Sequence, residues 1–151
     1  MANDPEHIKL ILNNRRARHE YHVLESIEVG IVLRGTEVKS VRDGKINVQD
    51  AYATVEEGEL FLHNMHISPF DKGNIHNHEP LRVRKLLARR KEIRKLAQKV
   101  HEKGLTLIPI QIYFSGRHLK IELGVCKGKK TYDKRQALKS REIQRDMERQ
   151  L

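Results

Sequence analysis

The sequence predicts a mainly β domain: a small closed antiparallel barrel with flanking helices and a C-terminal tail that is disordered when free. Three observations lead there. Six or so short runs alternate apolar and polar residues, or are rich in β-branched and aromatic side chains, as strands with one face in a core must be. Turn formers punctuate these runs, at EEGE, over 68–80 and at 115–117. After Gly128 the apolar pattern fades. The expected division is a basic N-terminal segment over 1–20 docking on the barrel, the barrel itself over 21–128, and a basic tail over 129–151.

At 151 residues, 38% hydrophobic and 33% charged, the chain has apolar material for one modest core and a large solvated surface. No apolar run approaches the roughly 20 residues of a membrane-spanning helix. The start, MANDPEHIKLILNN, lacks the features of a signal peptide, and a single cysteine, Cys126, fits a reducing cytoplasm. Cys126 reads as a small buried apolar residue.

Along the chain, Ile8, Leu10, Ile11 and Leu12 form an apolar patch predicted to dock on the barrel, followed by basic NRRARH. YHVLESIEVGIVLRG reads as a long strand, with Gly30 as a bulge or bend. TEVKSVRDG reads as a short helix capped by Thr36 and stopped at Gly44. Residues 46–64 form a hairpin around EEGE, and 68–80 a surface loop rich in turn formers. LRVRKLL places Leu81, Val83 and Leu87 on one side and Arg82, Arg84 and Leu86 on the other.

A helix follows, with Ile93, Leu96, Ala97 and Val100 at i, i+3, i+4, i+7 and Gly104 as its stop. Strands LTLIPIQIYF and HLKIELGV flank a tight turn at 115–117. Pro109, which has no N–H to donate, calls for an edge or a bulge. A late helix in a small barrel fits the OB type, whose groove and loops take RNA. Strand count alone fits an SH3-like barrel equally.

The formal net charge is +10, and it is concentrated: residues 81–103 carry +8, residues 127–151 carry +5, and the remainder sums to −3. Clustered cations are the footprint of a polyanion partner, because each neutralised phosphate releases counterions. Lys39 and Arg15, Arg16 and Arg18 sit on non-strand segments, where long cationic side chains reach phosphates. CKGKK (126–130) lacks the flanking residues of a phosphate-binding loop and reads as a cationic hinge of Lys127, Lys129 and Lys130. Tyr132 beside Asp133, Lys134 and Arg135 pairs a stacking ring with charges suited to RNA.

Four histidines, His63, His66, His76 and His78, invite a metal hypothesis, but no ligand set of regular spacing accompanies them. They read as surface-loop histidines, and His19 as supporting RNA contact or packing. A metal-dependent nuclease using them with Asp50 or Asp71 would need convergent acids, bases or ligands that the spacing does not supply. Neither a metal, a cofactor nor an enzymatic activity is expected.

Five segments resemble the small protein B (SsrA-binding protein) family, in order and with its spacing: NRRARHEY (14–21), GIVLRGTEVKSVRDGKINVQDAY (30–52), NHEPLRVRKLL (77–87), EKGLTLIPIQIYF (102–114) and GVCKGKKTYDKR (124–135). The resemblance implies an OB-like barrel that binds the tRNA-like domain of tmRNA in trans-translation. It also implies a tail, helical on the ribosome, that enters the decoding centre of stalled ribosomes, against small-subunit rRNA. Elongation factor Tu with aminoacylated tmRNA is a further implied partner. Asn14, Arg15, Arg16, Arg18, His19 and Lys39 then fall on RNA-facing segments. Glu28, Leu87 and Lys120 fall on positions the family sets against the tRNA-like domain, and 127–135 becomes a ribosome-directed element. From the residues alone Leu87 reads as core. The other reading is a generic ribosome-associated OB-fold RNA-binding protein with no tmRNA role.

Overall fold

The alternating segments become strands in a computed structural model, which describes residues 7–70 and 77–129. In chain order the elements are β1 (Ile8–Asn13), α1 (Arg15–Glu20), β2 (Tyr21–Ile31), α2 (Gly35–Arg42), β3 (Ile46–Asn47), β4 (Tyr52–Glu56), β5 (Glu59–His63), β6 (His66–Ile67), β7 (Arg84–Leu87), α3 (Arg90–Lys103), β8 (Thr106–Ser115) and β9 (His118–Gly128). Seven strands form one antiparallel sheet in the order β1-β8-β4-β5-β7-β2-β9, and β8 also pairs with β9. The short β3 and β6 pair separately.

Strands β5, β8 and β9 supply much of the core. Leu60, Leu62, Leu107, Ile112, Ile121, Leu123 and Val125 are fully buried, each such side chain stabilising the fold by about 1.5–3 kcal/mol. Ile93 and Leu96 of α3 join them, as the helical spacing predicts, and Gly104 ends the helix in the left-handed region at φ 62°. Val100 is different: it is 37% exposed, against 8% for Ile93 and 3% for Leu96. Pro109 falls at a register shift of the β8–β9 ladder, the irregularity its missing N–H calls for.

Several local expectations are corrected. The apolar patch at residues 8–12 is a strand, β1, whose backbone pairs with residues 111–115 of β8. Gly30 is not the bulge of β2; the register shifts between Val23 and Glu25 instead, and Gly30 is a site of close approach. The α2 N-cap is Arg34, whose N–H donates to Glu37 Oε1 at 2.8 Å, rather than Thr36, whose hydroxyl is engaged with His78. The 46–64 hairpin begins only at Tyr52, since Ile46 and Asn47 pair with β6.

A small second cluster lies under α1, where Ala17 packs with Ile108, Ile110 and Cys126. Cys126 is buried and unpaired, as expected of an apolar filler. At Gly124 a Cβ would come within 2.7 Å of Ile110 Cγ1, so only glycine lets β9 pass beneath this cluster.

Candidate nucleic-acid interface

One lateral row of the sheet brings together residues far apart in sequence. Leu87 on β7 lies opposite Gly30 on β2, Gly30 opposite Lys120 on β9, Lys120 opposite Tyr113 on β8, and Tyr113 opposite Leu10 on β1. Residues directly opposite on antiparallel strands project to the same face. Glu28, two residues before Gly30, shares that face by the period of two. The structure therefore places Glu28, Leu87 and Lys120 together.

Leu87 is 51% exposed, so it is not the core residue its apolar character suggests. Alternation identifies two faces of a strand; the partner strands decide which one is inside, and on β7 it is the face of Arg84 and Leu86. Gly30 lets Leu87 lie close over β2: a Cβ there would meet Leu87 Cβ at 3.3 Å.

Glu28 accepts a hydrogen bond from the Tyr113 hydroxyl. Burial, and then the Glu28 carboxylate, push the Tyr113 phenol well above its usual range. Glu122, opposite Glu28, accepts from Ser26 Oγ at 2.9 Å. Lys120 has no ion-pair partner among the described residues. The face thus offers a free ammonium for phosphate, an exposed leucine for a base or ribose, and an oriented carboxylate that accepts from a base edge or a 2′-hydroxyl.

The helix α1 divides its residues differently from the sequence grouping. Arg15, Arg18 and His19 are exposed. Arg16 is exposed too, with Glu20 at 3.2 Å and Asp50 at 3.8 Å. Asn14 is only 5% exposed: its Oδ1 accepts from Ala17 N at 3.1 Å, and its Nδ2 donates to Pro109 O at 2.9 Å. With both ends of its amide engaged inside the fold, Asn14 caps α1 and ties it to β8. Lys39 is exposed on α2, with its ammonium 5.3 Å from the centre of the Phe70 ring.

Of the hinge residues, Lys127 is exposed on β9, and the Lys129 N–H donates to Glu20 O at 3.0 Å. Lys130, Tyr132, Asp133, Lys134 and Arg135 lie outside the described residues, as does His76.

Two of the motif segments also build a polar cluster that sequence reasoning missed. Glu37 and Arg84 are both fully buried, with Arg84 Nε donating to Glu37 Oε2 at 2.5 Å and Arg84 Nη1 to Met65 O at 2.5 Å. Arg82 Nη2 donates to Glu37 Oε1 at 2.5 Å. His78, expected on the surface, is 4% exposed and bridges Thr36 Oγ1 and Ile67 O, each at 2.8 Å. One signal was available: Arg84 alternates with Leu86, so an inward Leu86 brings a cation inward that must find a buried acid. His63 stacks on Tyr52 with ring centroids 5.1 Å apart and hydrogen-bonds Thr54 Oγ1 at 2.8 Å. Among the described residues, no three His, Cys, Asp or Glu side chains are grouped to hold a metal ion.

The family model for the SmpB protein matches residues 11–151. The chain belongs to the SmpB family. Similar SmpB relatives include the SsrA-binding protein of Carboxydothermus hydrogenoformans, 54% identical over 143 residues, covering 95% of this chain and 96% of that one. The SsrA-binding protein of Syntrophomonas wolfei is 57% identical over 144 residues, covering 95% and 92%. A solved SmpB structure, described as "tmRNA-SmpB: a journey to the center of the bacterial ribosome", is 51% identical with a TM-score of 0.67, covering 80% of this chain and 85% of that one. The resemblance drawn from the five motif segments is therefore correct.

Proposed function

We propose that the chain binds the tRNA-like domain of tmRNA and delivers it to stalled ribosomes in trans-translation. The observation that carries this reading is SmpB family membership over almost the whole length, with a solved relative described as tmRNA–SmpB in the bacterial ribosome. The geometry is consistent with it: the face shared by Glu28, Leu87 and Lys120 is chemically mixed, and Lys120 has no ion-pair partner among the described residues.

In this reading the succession of pairings β8–β4–β5–β7–β2–β9–β8 is an OB-like closed barrel, which presents a preformed surface to folded RNA. Glu28, Leu87 and Lys120 meet the tRNA-like domain, while Arg15, Arg16, Arg18, His19 and Lys39 supply phosphate contacts from α1 and α2. Residues 127–135 direct the tail to the decoding centre, and elongation factor Tu with aminoacylated tmRNA joins the assembly in the cytoplasm. The protein acts without catalysis, by shape complementarity, phosphate neutralisation and placement of the tail.

The test is a titration of the full chain with tmRNA and with an unrelated structured RNA at several salt concentrations. Salt slope counts phosphate contacts, and the ratio of affinities measures specificity. Preference for tmRNA that persists as salt rises supports the reading. Equal affinity for both RNAs leaves only a generic ribosome-associated RNA binder.

A further inference from the structure

A groove of about 630 Å3 runs between the β4–β5 turn, β7 and the start of α3. Apart from Leu87, none of the residues assigned above to RNA lines it. Its volume is that of a site for a small molecule or a single extruded group, about 300–1,000 Å3. The floor is apolar: Leu86 and Ile93 are buried, and Ala97 is half-buried one turn further along α3. Leu87 forms part of the wall, and Leu87 also stands on the row that carries Lys120. The groove therefore opens beside the proposed RNA face.

Its charges sort by sign. Glu59 is neutralised by Lys85 at 3.0 Å. Arg90 and Arg94, one helical turn apart on the same side of α3 as Ile93 and Ala97, are exposed and have no ion-pair partner among the described residues. Against them stands one other acid, Glu57, at the tip of the β4–β5 turn. Two free guanidinium groups over an apolar floor match a phosphodiester carrying an unstacked base. Arginine forks match phosphate oxygens, and bases turned out of a stack pack on apolar or aromatic side chains.

We infer that this groove receives one unstacked nucleotide of the bound RNA, its base on Leu87, Ile93 and Ala97 and its flanking phosphates on Arg90 and Arg94. The inference rests on the reading of the Glu28–Leu87–Lys120 face as the RNA surface, and extends that surface across β7 to α3.

The experiment compares three variants of the full chain for binding to the tRNA-like domain of tmRNA, with chemical probing of the RNA's unpaired nucleotides. Ala97→Trp fills the groove from a half-exposed position. It should weaken binding by roughly tenfold, the worth of one lost base contact, and restore reactivity at one nucleotide that the wild type protects. Arg90→Ala with Arg94→Ala should lower the salt slope by about two. Lys120→Ala is the control for the face itself.

If Lys120→Ala weakens binding while the groove variants match the wild type in affinity, slope and protection, the groove inference is overturned and the face stands. If all three bind as the wild type does, the face reading fails and the groove inference with it. Groove variants that bind RNA normally but lose tagging on stalled ribosomes would identify a ribosomal occupant, and that too overturns the inference.

Discussion

Arg84 and Glu37, 47 positions apart, form an ion pair with no exposed surface on either side chain, Nε to Oε2 at 2.5 Å. Arg84 also holds Met65 O and Pro80 O, so a single guanidinium joins α2, the segment before β6 and the turn before β7. Removing one partner leaves the other charge buried. Arg84→Ala is expected to destabilise the fold by about 3–5 kcal/mol, and the paired change Glu37→Leu with Arg84→Met should recover only part of that loss, because Arg82, Met65 O and Pro80 O lose their partners in it. Denaturant unfolding of the single and double variants checks this.

The same pair sets an acid limit. Burial raises the Glu37 pKa, but hydrogen bonds from Arg82, the Arg34 N–H and Arg84 outweigh it and hold the carboxyl below its ordinary value. A carboxylate depressed in the folded state stabilises the fold above its unfolded pKa, and the gain is lost as pH falls through the folded one. The wild-type thermal midpoint should fall below the ordinary glutamate range, and Glu37→Gln should flatten that fall. An acid limb as steep in Glu37→Gln as in the wild type would place the sensitivity elsewhere.

These relationships mark the limit of what the sequence makes legible. Local pattern sufficed for α3, where Ile93 and Leu96 face the core and Gly104 stops the helix, and for the irregularity at Pro109. It failed where the partner is distant. Residues 8–13 resemble a docking patch until β8, about a hundred positions on, supplies a strand edge. Gly30 reads as a bulge until Leu87 is seen lying over it. Leu87 itself reads as core because alternation does not say which face is inside. The site residues were reached through motif resemblance, since an exposed Glu28, Leu87 or Lys120 has no distinctive local signature.

The packing of α3 gives a direct stability test. Ile93 is 8% exposed within the main core. Ile93→Asp places an unpaired carboxylate there and should cost roughly 3 kcal/mol. The equivalent change at Val100, 37% exposed, should cost far less. Similar thermal midpoints for the two variants would mean that α3 does not pack through Ile93.

Cys126 should be chemically silent in the folded protein. It is fully buried, and burial pushes its thiol up to about 11, so little reactive thiolate exists near neutral pH. Maleimide labelling at pH 7 should follow the unfolded fraction across a denaturant titration. A raised thiol pKa stabilises the fold at lower pH and is lost as pH rises through the folded value, so removing Cys126 should soften alkaline destabilisation. Rapid labelling without denaturant would contradict the burial.

Binding and ribosomal function should separate along the chain. The apolar pattern ends near Gly128, and residues 131–151 hold few large apolar side chains. Deleting 131–151 should leave the thermal midpoint and most tmRNA affinity intact while abolishing tagging on stalled ribosomes. Tagging that survives the deletion would make these residues a solubilising extension.

The central claim is that Gly30 brings Leu87 and Lys120 together on the face that holds the RNA. The most direct measurement is the salt dependence of tmRNA binding by Lys120→Ala and by the triple variant Glu28→Gln, Leu87→Ala, Lys120→Ala, each checked for fold by thermal unfolding. Glu28 and Leu87 are exposed and Lys120 is half-buried, none of them in the core, so the variants should unfold close to the wild-type midpoint. Lys120→Ala should lower the salt slope by about one, as expected for one phosphate contact, and the triple variant should bind far more weakly than the wild type. A folded triple variant with wild-type affinity and slope would contradict the account.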